Sequence, residues 1–98
     1  MEKEYFLIGE VAKKLGIHDQ TIRMYERKSL IRPQRSENNV RLFTFRDITR
    51  ITIIITLTQE IGMNLPGVKI VFSLAKKLKM TDDELLDFIH DHKIEFQI

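Results

Sequence analysis

The chain has 98 residues, a formal net charge of +2, 43% hydrophobic and 31% charged residues, and neither cysteine nor tryptophan. A chain of that size makes one small domain burying roughly 60–70% of its unfolded surface, which excludes a two-domain enzyme, and without cysteine a disulfide scaffold, a thiolate zinc site and a cysteine nucleophile. Met1-Glu2-Lys3-Glu4 leads into only four apolar or aromatic residues before Gly9-Glu10, too few for a signal peptide, and no later run approaches a membrane span, so a cytoplasmic protein with no membrane partner is expected.

The small net charge averages two unlike halves. Residues 1–50 hold 11 Lys/Arg against 7 Asp/Glu, a net of +4, and residues 51–98 hold 5 against 7, a net of −2. All seven arginines, from Arg23 to Arg50, fall within 28 residues. Arginine suits bidentate recognition of phosphate and guanine. The cluster reads either as a nucleic-acid face or as a solvated basic surface.

In chain order, Ile8, Val11, Ala12 and Leu15 share one face of a short helix, and Gly16 supplies a left-handed stop. Asp19 is the expected cap of a second helix with Ile22 and Tyr25 inward and Gln20, Thr21, Arg23, Met24 and Arg27 outward. Two short helices joined through a glycine turn form a helix-turn-helix candidate, although any short helical hairpin meets several of the same constraints. Leu30–Arg35 and Val40–Phe43 then read as two extended runs around the polar turn Ser36-Glu37-Asn38-Asn39, whose asparagines tolerate positive φ. Pro33 confines its run to an edge. The simplest reading is a two-stranded wing; the alternative is an irregular loop.

Thr44-Phe45-Arg46-Asp47 has the form of a capping box with Asp at the fourth place. The run Ile51–Thr58 is almost wholly β-branched and would suit a strand by propensity. The preceding cap, the closing Gly62 and the stripe Ile48, Ile51, Ile54, Ile55 and Ile61 favour a helix buried on more than one side. Asn64 is expected to cap a helix with Pro66 in its first turn and Val68, Val71, Phe72, Ala75 and Leu78 on its apolar face. Thr81-Asp82-Asp83-Glu84 is a cleaner capping box. The last helix places Leu85, Leu86 and Ile89 on one side, a stripe that extends to His92, Lys93 and Phe96, either for a partner helix or for its own domain.

Catalysis has little support. His18, His90 and His92 are the only histidines. His90 and His92, two apart on a helix, diverge by about 200°. No Gly-rich phosphate loop, nucleophile motif or paired-carboxylate pocket stands out, so no enzyme activity, metal or cofactor is expected. For DNA, the second helix would enter the major groove with Gln20, Thr21, Arg23 and Arg27 near base edges and phosphates. Arg23 suits base readout, while Thr21, Tyr25 and Lys28 suit phosphate contacts.

From Tyr5 to about Leu78 the sequence resembles the MerR family of winged-helix transcription regulators. The resemblance is carried by Ile8-Gly9-Glu10-Val11-Ala12, Thr21-Ile22-Arg23-Met24-Tyr25-Glu26-Arg27, Leu30-Ile31-Arg32-Pro33-Gln34-Arg35, and Arg41-Leu42-Phe43 with Asp47. Within the family, Asn38–Phe43 and Leu57–Val68 resemble the heat-shock repressors most. The resemblance implies a homodimer joined through C-terminal helices, bound to an inverted repeat in double-stranded DNA, repressing chaperone operons with a chaperone as co-repressor.

The expected fold is mainly α: a winged helix-turn-helix over residues 1–79 with a two-stranded wing, then a short C-terminal dimerisation helix over 80–98. The expected DNA-binding set is His18, Gln20, Thr21, Arg23, Tyr25, Arg27 and Lys28 on the recognition helix, with Arg35, Asn38, Asn39, Arg41 and Phe43 on the wing. Leu85, Leu86, Ile89 and Phe96 form the expected dimer seam. The sequence departs from the family's pattern in four places. Ser29 replaces a helix-ending glycine, Asn39-Val40 replaces a Gly-aromatic pair, and Phe43 replaces tyrosine. The family's long dimerisation helix is abbreviated, implying a shortened protein or a small dimer interface. The family's effector cysteines have no counterpart, which points away from metal or thiol sensing. Two other readings compete: a protein-interaction module whose acidic C-terminal half docks a chaperone, and an excisionase-like architectural protein that bends DNA.

Overall fold

The computed structural model describes residues 4–97; the leader argument from Met1, Glu2 and Lys3, and the terminal Ile98, lie outside them. The elements run α1 (Ile8–Leu15), α2 (Asp19–Arg27), β1 (Gln34–Arg35), β2 (Arg41–Leu42), α3 (Phe45–Ile55), a π-helical turn over Thr56–Glu60, α4 (Leu65–Lys77) and α5 (Asp82–Phe96). The mainly helical fold with a small antiparallel wing matches the sequence reading.

The contacts divide the chain into two compact units, one through Ile51 and one from Thr52. The expected division at 79/80 is therefore not where the contacts separate. The reason is local to the second unit. Leu85 and Ile89 of α5 are buried, and they line one cavity wall with Leu57, Ile61 and Val71. The last helix thus shares a core with the elements before it.

In the first unit, Val11, Ala12, Ile22, Tyr25, Leu30, Ile31, Phe43, Ile48 and Ile51 are buried. α1 ends at Gly16, φ 67°, where Gly16 N–H donates to Lys13 O and Ile17 N–H to Ala12 O. Such paired bonds define a Schellman end, which needs a left-handed residue. The same pattern closes α2 at Ser29, φ 61°, and α4 at Lys79, φ 59°. Neither is a glycine, so each carries the steric penalty of a side chain in the left-handed region.

α3 is a helix despite its β-branched composition. Thr44 and Asp47 exchange bonds as expected: Thr44 N–H donates to Asp47 Oδ2 at 2.8 Å, and Asp47 N–H to Thr44 Oγ1 at 3.3 Å. Burial of Ile48, Ile51, Ile53 and Ile54 then outweighs a propensity difference of tenths of a kcal/mol per residue. Past Ile55 the Thr56 hydroxyl donates to Thr52 O and the Thr58 hydroxyl to Ile54 O. These side chains engage carbonyls of the ladder where it widens, Ile61 N–H reaching back five residues to Thr56 O at 3.2 Å.

The second unit buries Ile53, Ile54, Thr56, Leu57, Val68, Phe72, Ala75, Leu85 and Ile89. Asn64 caps α4 by accepting Gly67 N–H, and Thr81 caps α5 by accepting Glu84 N–H. Leu78 departs from expectation and is 71% exposed. α4 ends at Lys77, so Leu78 falls at its cap and leaves the apolar stripe.

Replacing Ser29 or Lys79 by glycine is expected to raise stability by about 0.5–1 kcal/mol each, because the left-handed strain disappears at a modest unfolded-state entropy cost. Urea unfolding should show a higher midpoint at unchanged slope. A Gly16→Ala control should move the other way.

Candidate nucleic-acid interface

The first unit brings α1, α2 and the wing together around one basic surface. Ile22 and Tyr25 face inward from α2, so Gln20, Arg27 and Lys28 are exposed on its other sides and Thr21 and Arg23 are half-exposed. The cap of α2 is His18 rather than Asp19. Its Nδ1 accepts Gln20 N–H at 3.1 Å, and Asp19 is the first helical residue. Asp19 Oδ2 lies 3.7 Å from Arg23 Nη2, one helical turn away. Arg23 Nε is buried with no hydrogen-bond partner among the described residues. The rest of that side chain faces a cleft of about 590 Å³, bounded by the start of α1, Lys13, Arg23 and the wing residues Asn39, Val40 and Arg41.

The wing is built from its turn outward. Asn39 takes the left-handed conformation, φ 62°, and its N–H donates to Ser36 O, while Ser36 N–H donates to Val40 O. β1 and β2 pair antiparallel with Gln34 opposite Leu42 and Arg35 opposite Arg41. That register sets two arginines face to face, an arrangement that repels unless an anion lies between them. Glu26 of α2 provides it. Its Oε1 accepts from Arg41 Nε at 2.6 Å and its Oε2 from Arg35 Nη2 at 3.2 Å. Arg35 also donates through Nη1 to Asn39 O at 3.1 Å. Burial alone would raise the pKa of the Glu26 carboxyl. The hydrogen bonds and charges of Arg41, then of Arg35, outweigh burial and hold it below its ordinary 4.5.

The expected site residues sort into three groups. Gln20, Arg27, Lys28, Arg35, Asn38 and Asn39 are exposed, and Thr21, Arg23 and Arg41 are half-exposed; Arg23, Asn39 and Arg41 border one cleft. His18 is exposed but serves as a helix cap. Tyr25 and Phe43 are corrected. Tyr25 is 3% exposed and Phe43 fully buried, so neither side chain presents a surface to a phosphate. Phe43 is held there because its N–H and C=O pair with Phe6 at 2.8 Å in both directions.

The dimer seam is corrected in part. Leu85 and Ile89 are buried by the chain itself, Leu86 is half-buried, and Phe96 is 41% exposed beside the exposed Phe88 and Ile94. Sequence reasoning missed Glu26 and Phe6. An acid between Arg23 and Arg27, at the start of the arginine window, was the available signal for the first, and nothing local marked the second. Among the described residues no three His, Cys, Asp or Glu side chains gather as a metal site, and no helix is long and apolar enough to cross a membrane.

Two helices joined by a left-handed turn and followed by a two-stranded wing define the winged helix-turn-helix class. Residues 6–75 match the model of the MerR HTH family of regulatory proteins. The chain belongs to that family. It is 33% identical over 73 residues to a protein of Streptomyces coelicolor provisionally named heat shock protein HspR, a match covering 74% of this chain and 48% of that one. It is 32% identical over 84 residues to the mercuric resistance operon regulatory protein of Bacillus cereus, covering 85% and 63%. The matched stretch is thus about half to just under two thirds of these relatives' length. Among solved structures, HiNmlR, a MerR family regulator lacking the sensor domain and bound to promoter DNA, superposes with a TM-score of 0.66 at 24% identity, covering 91% of this chain and 68% of that one. At that identity the likeness is one of fold.

Glu26→Gln should lower stability at neutral pH by about 1–2 kcal/mol, the range for charge-assisted bonds at a partly exposed site. Because the folded pKa is depressed, the wild-type advantage is fully present above the ordinary value of 4.5 and fades as pH falls below it. Urea unfolding at neutral pH and near pH 3 checks this: the two proteins should differ at the first, and the difference should be smaller at the second.

Proposed function

We propose that this chain binds double-stranded DNA as a homodimer on an inverted repeat and represses heat-shock or chaperone genes, with a chaperone as co-repressor. The observation that carries the DNA reading is the basic edge of α2 beside the wing. Gln20, Arg27 and Lys28 are exposed, and Arg23 is half-exposed, on the sides of α2 away from the buried Ile22 and Tyr25. Helices presented in this way read base edges from the major groove while flanking cations hold phosphates. The fold shared with a regulator bound to promoter DNA supports the same reading, and the likeness to HspR supports the heat-shock assignment.

For the homodimer, support comes from the apolar surface of the second unit. Phe88, Ile94 and Phe96 of α5 and Ile70 and Leu74 of α4 are exposed, and large apolar side chains left in water are where a second copy would pack. A domain this short reads few base pairs, so two copies on an inverted repeat supply the specificity one lacks.

Arg23→Ala should cost about 1–3 kcal/mol on a selected site and flatten preference at one base position, whereas Lys28→Ala should weaken all sequences alike and reduce the salt slope by about 1. Fluorescence anisotropy on duplexes enriched from a random library measures both. An unchanged base preference in Arg23→Ala would remove Arg23 from direct readout. Failure to bind any duplex even at low salt would sink the DNA reading.

A further inference from the structure

An acidic side chain on a DNA-binding face is electrostatically unfavourable, because it repels the phosphates that the surrounding cations attract. Glu26 is such a residue. It stands on α2 within 2.6 Å of Arg41 Nε and 3.2 Å of Arg35 Nη2, so three charged groups present a net of one positive charge instead of two. A surface shaped for affinity alone would lack this carboxylate. What it supplies is orientation. Bonded through Nε, the planar guanidinium of Arg41 is fixed against α2, and its two Nη groups take no hydrogen bond among the described residues. Arg41 also borders the same cleft as Arg23. The carboxylate therefore ties the donors of the wing to the helix that carries the base-reading candidate.

We propose, resting on the DNA-binding reading of this face, that Glu26 is the residue that sets its specificity: by bridging Arg41 and Arg35 it withholds part of their charge from arbitrary phosphates and holds the wing in one register with α2. Removing its charge strengthens binding to random DNA and weakens discrimination. A loss of folding or of a simple brace weakens both kinds of duplex and does not raise the affinity for random DNA. Glu26 itself touches no base. It is a positioning residue acting through the two arginines.

The test compares wild type, Glu26→Gln and Glu26→Asp on a duplex enriched by the wild-type protein from a random library and on a random duplex of equal length, between about 50 and 200 mM salt. Circular dichroism checks that each variant is folded. For Glu26→Gln the affinity for random DNA should rise several-fold, and the salt slope should steepen by up to about 1.8, about 0.9 for each released arginine. The ratio of selected to random affinity should fall roughly fivefold or more. Glu26→Asp, with the charge kept but the reach one methylene shorter, should fall between. Adding Arg41→Gln to Glu26→Gln should return about half of the steepening. A parallel loss on both duplexes at unchanged slope would make Glu26 a structural brace only and overturn the proposal, as would an unchanged ratio. If the wild-type protein itself enriches no sequence and binds no duplex, the DNA reading fails first, and that outcome is visible before any variant is made.

Discussion

The carboxylate of Glu26 between Arg35 and Arg41 is the contact on which the arrangement of the basic surface depends. Hairpin register puts the two guanidiniums opposite one another, and a wing of two-residue strands has little ladder energy to oppose their repulsion. Placing the anion on α2 solves both problems together. It halves the charge of the facing pair, and it fixes the wing against the helix that presents Arg23, Arg27 and Lys28. The turn adds its own contact: Asn39 is left-handed, and its carbonyl accepts from Arg35 Nη1. A short wing is thus positioned chiefly by side chains and by the Phe6–Phe43 bridge.

A second economy is the repeated helix end. α1, α2 and α4 all close with the same pair of bonds around one left-handed residue. Only at Gly16 does the residue suit the conformation. Ser29 lies between Glu26, whose carboxylate holds the wing, and Leu30, whose carbonyl accepts Arg50 Nε at 2.7 Å. The backbone of that turn is bonded on both flanks, since Ser29 N–H reaches Glu26 O and Leu30 N–H reaches Tyr25 O. Strain of the order of 1 kcal/mol is therefore held by neighbouring contacts that are themselves part of the basic surface.

Much of this fold was legible in the sequence, because its signals are local. Period-3.6 stripes, Gly16, the Thr44–Asp47 and Thr81–Glu84 boxes and the asparagine turn each act within a few residues. The run Ile51–Thr58 shows the limit of composition: β-branched residues favour a strand, and only the cap and the spacing of the buried isoleucines indicate a helix. The π-helical turn after it coincides with two threonine hydroxyls reaching ladder carbonyls, which propensity does not register. Charge counting had a similar limit. It pooled seven arginines, whereas the structure commits Arg35 and Arg41 to Glu26 and Arg50 to a carbonyl. That leaves Arg27, Arg32 and Arg46 among the exposed ones.

The remaining misreadings share one cause. An apolar stripe says which face of a helix is buried and is silent about what buries it. Tyr25 and Phe43 sit at positions where an aromatic ring suits either a core or a phosphate-side contact, and long-range packing decided for the core. Leu85 and Ile89 fit a dimer seam equally well by spacing, yet the chain covers them itself. What remains outside is a different set on the same helix. Phe88 and Phe96, eight residues apart with His92 between them, have their rings 6.0 Å apart and stay exposed. Burial by the chain's own core therefore subtracts from a stripe before any partner can use it, and a seam between copies of this chain has to be sought in what that subtraction leaves on α5 and α4.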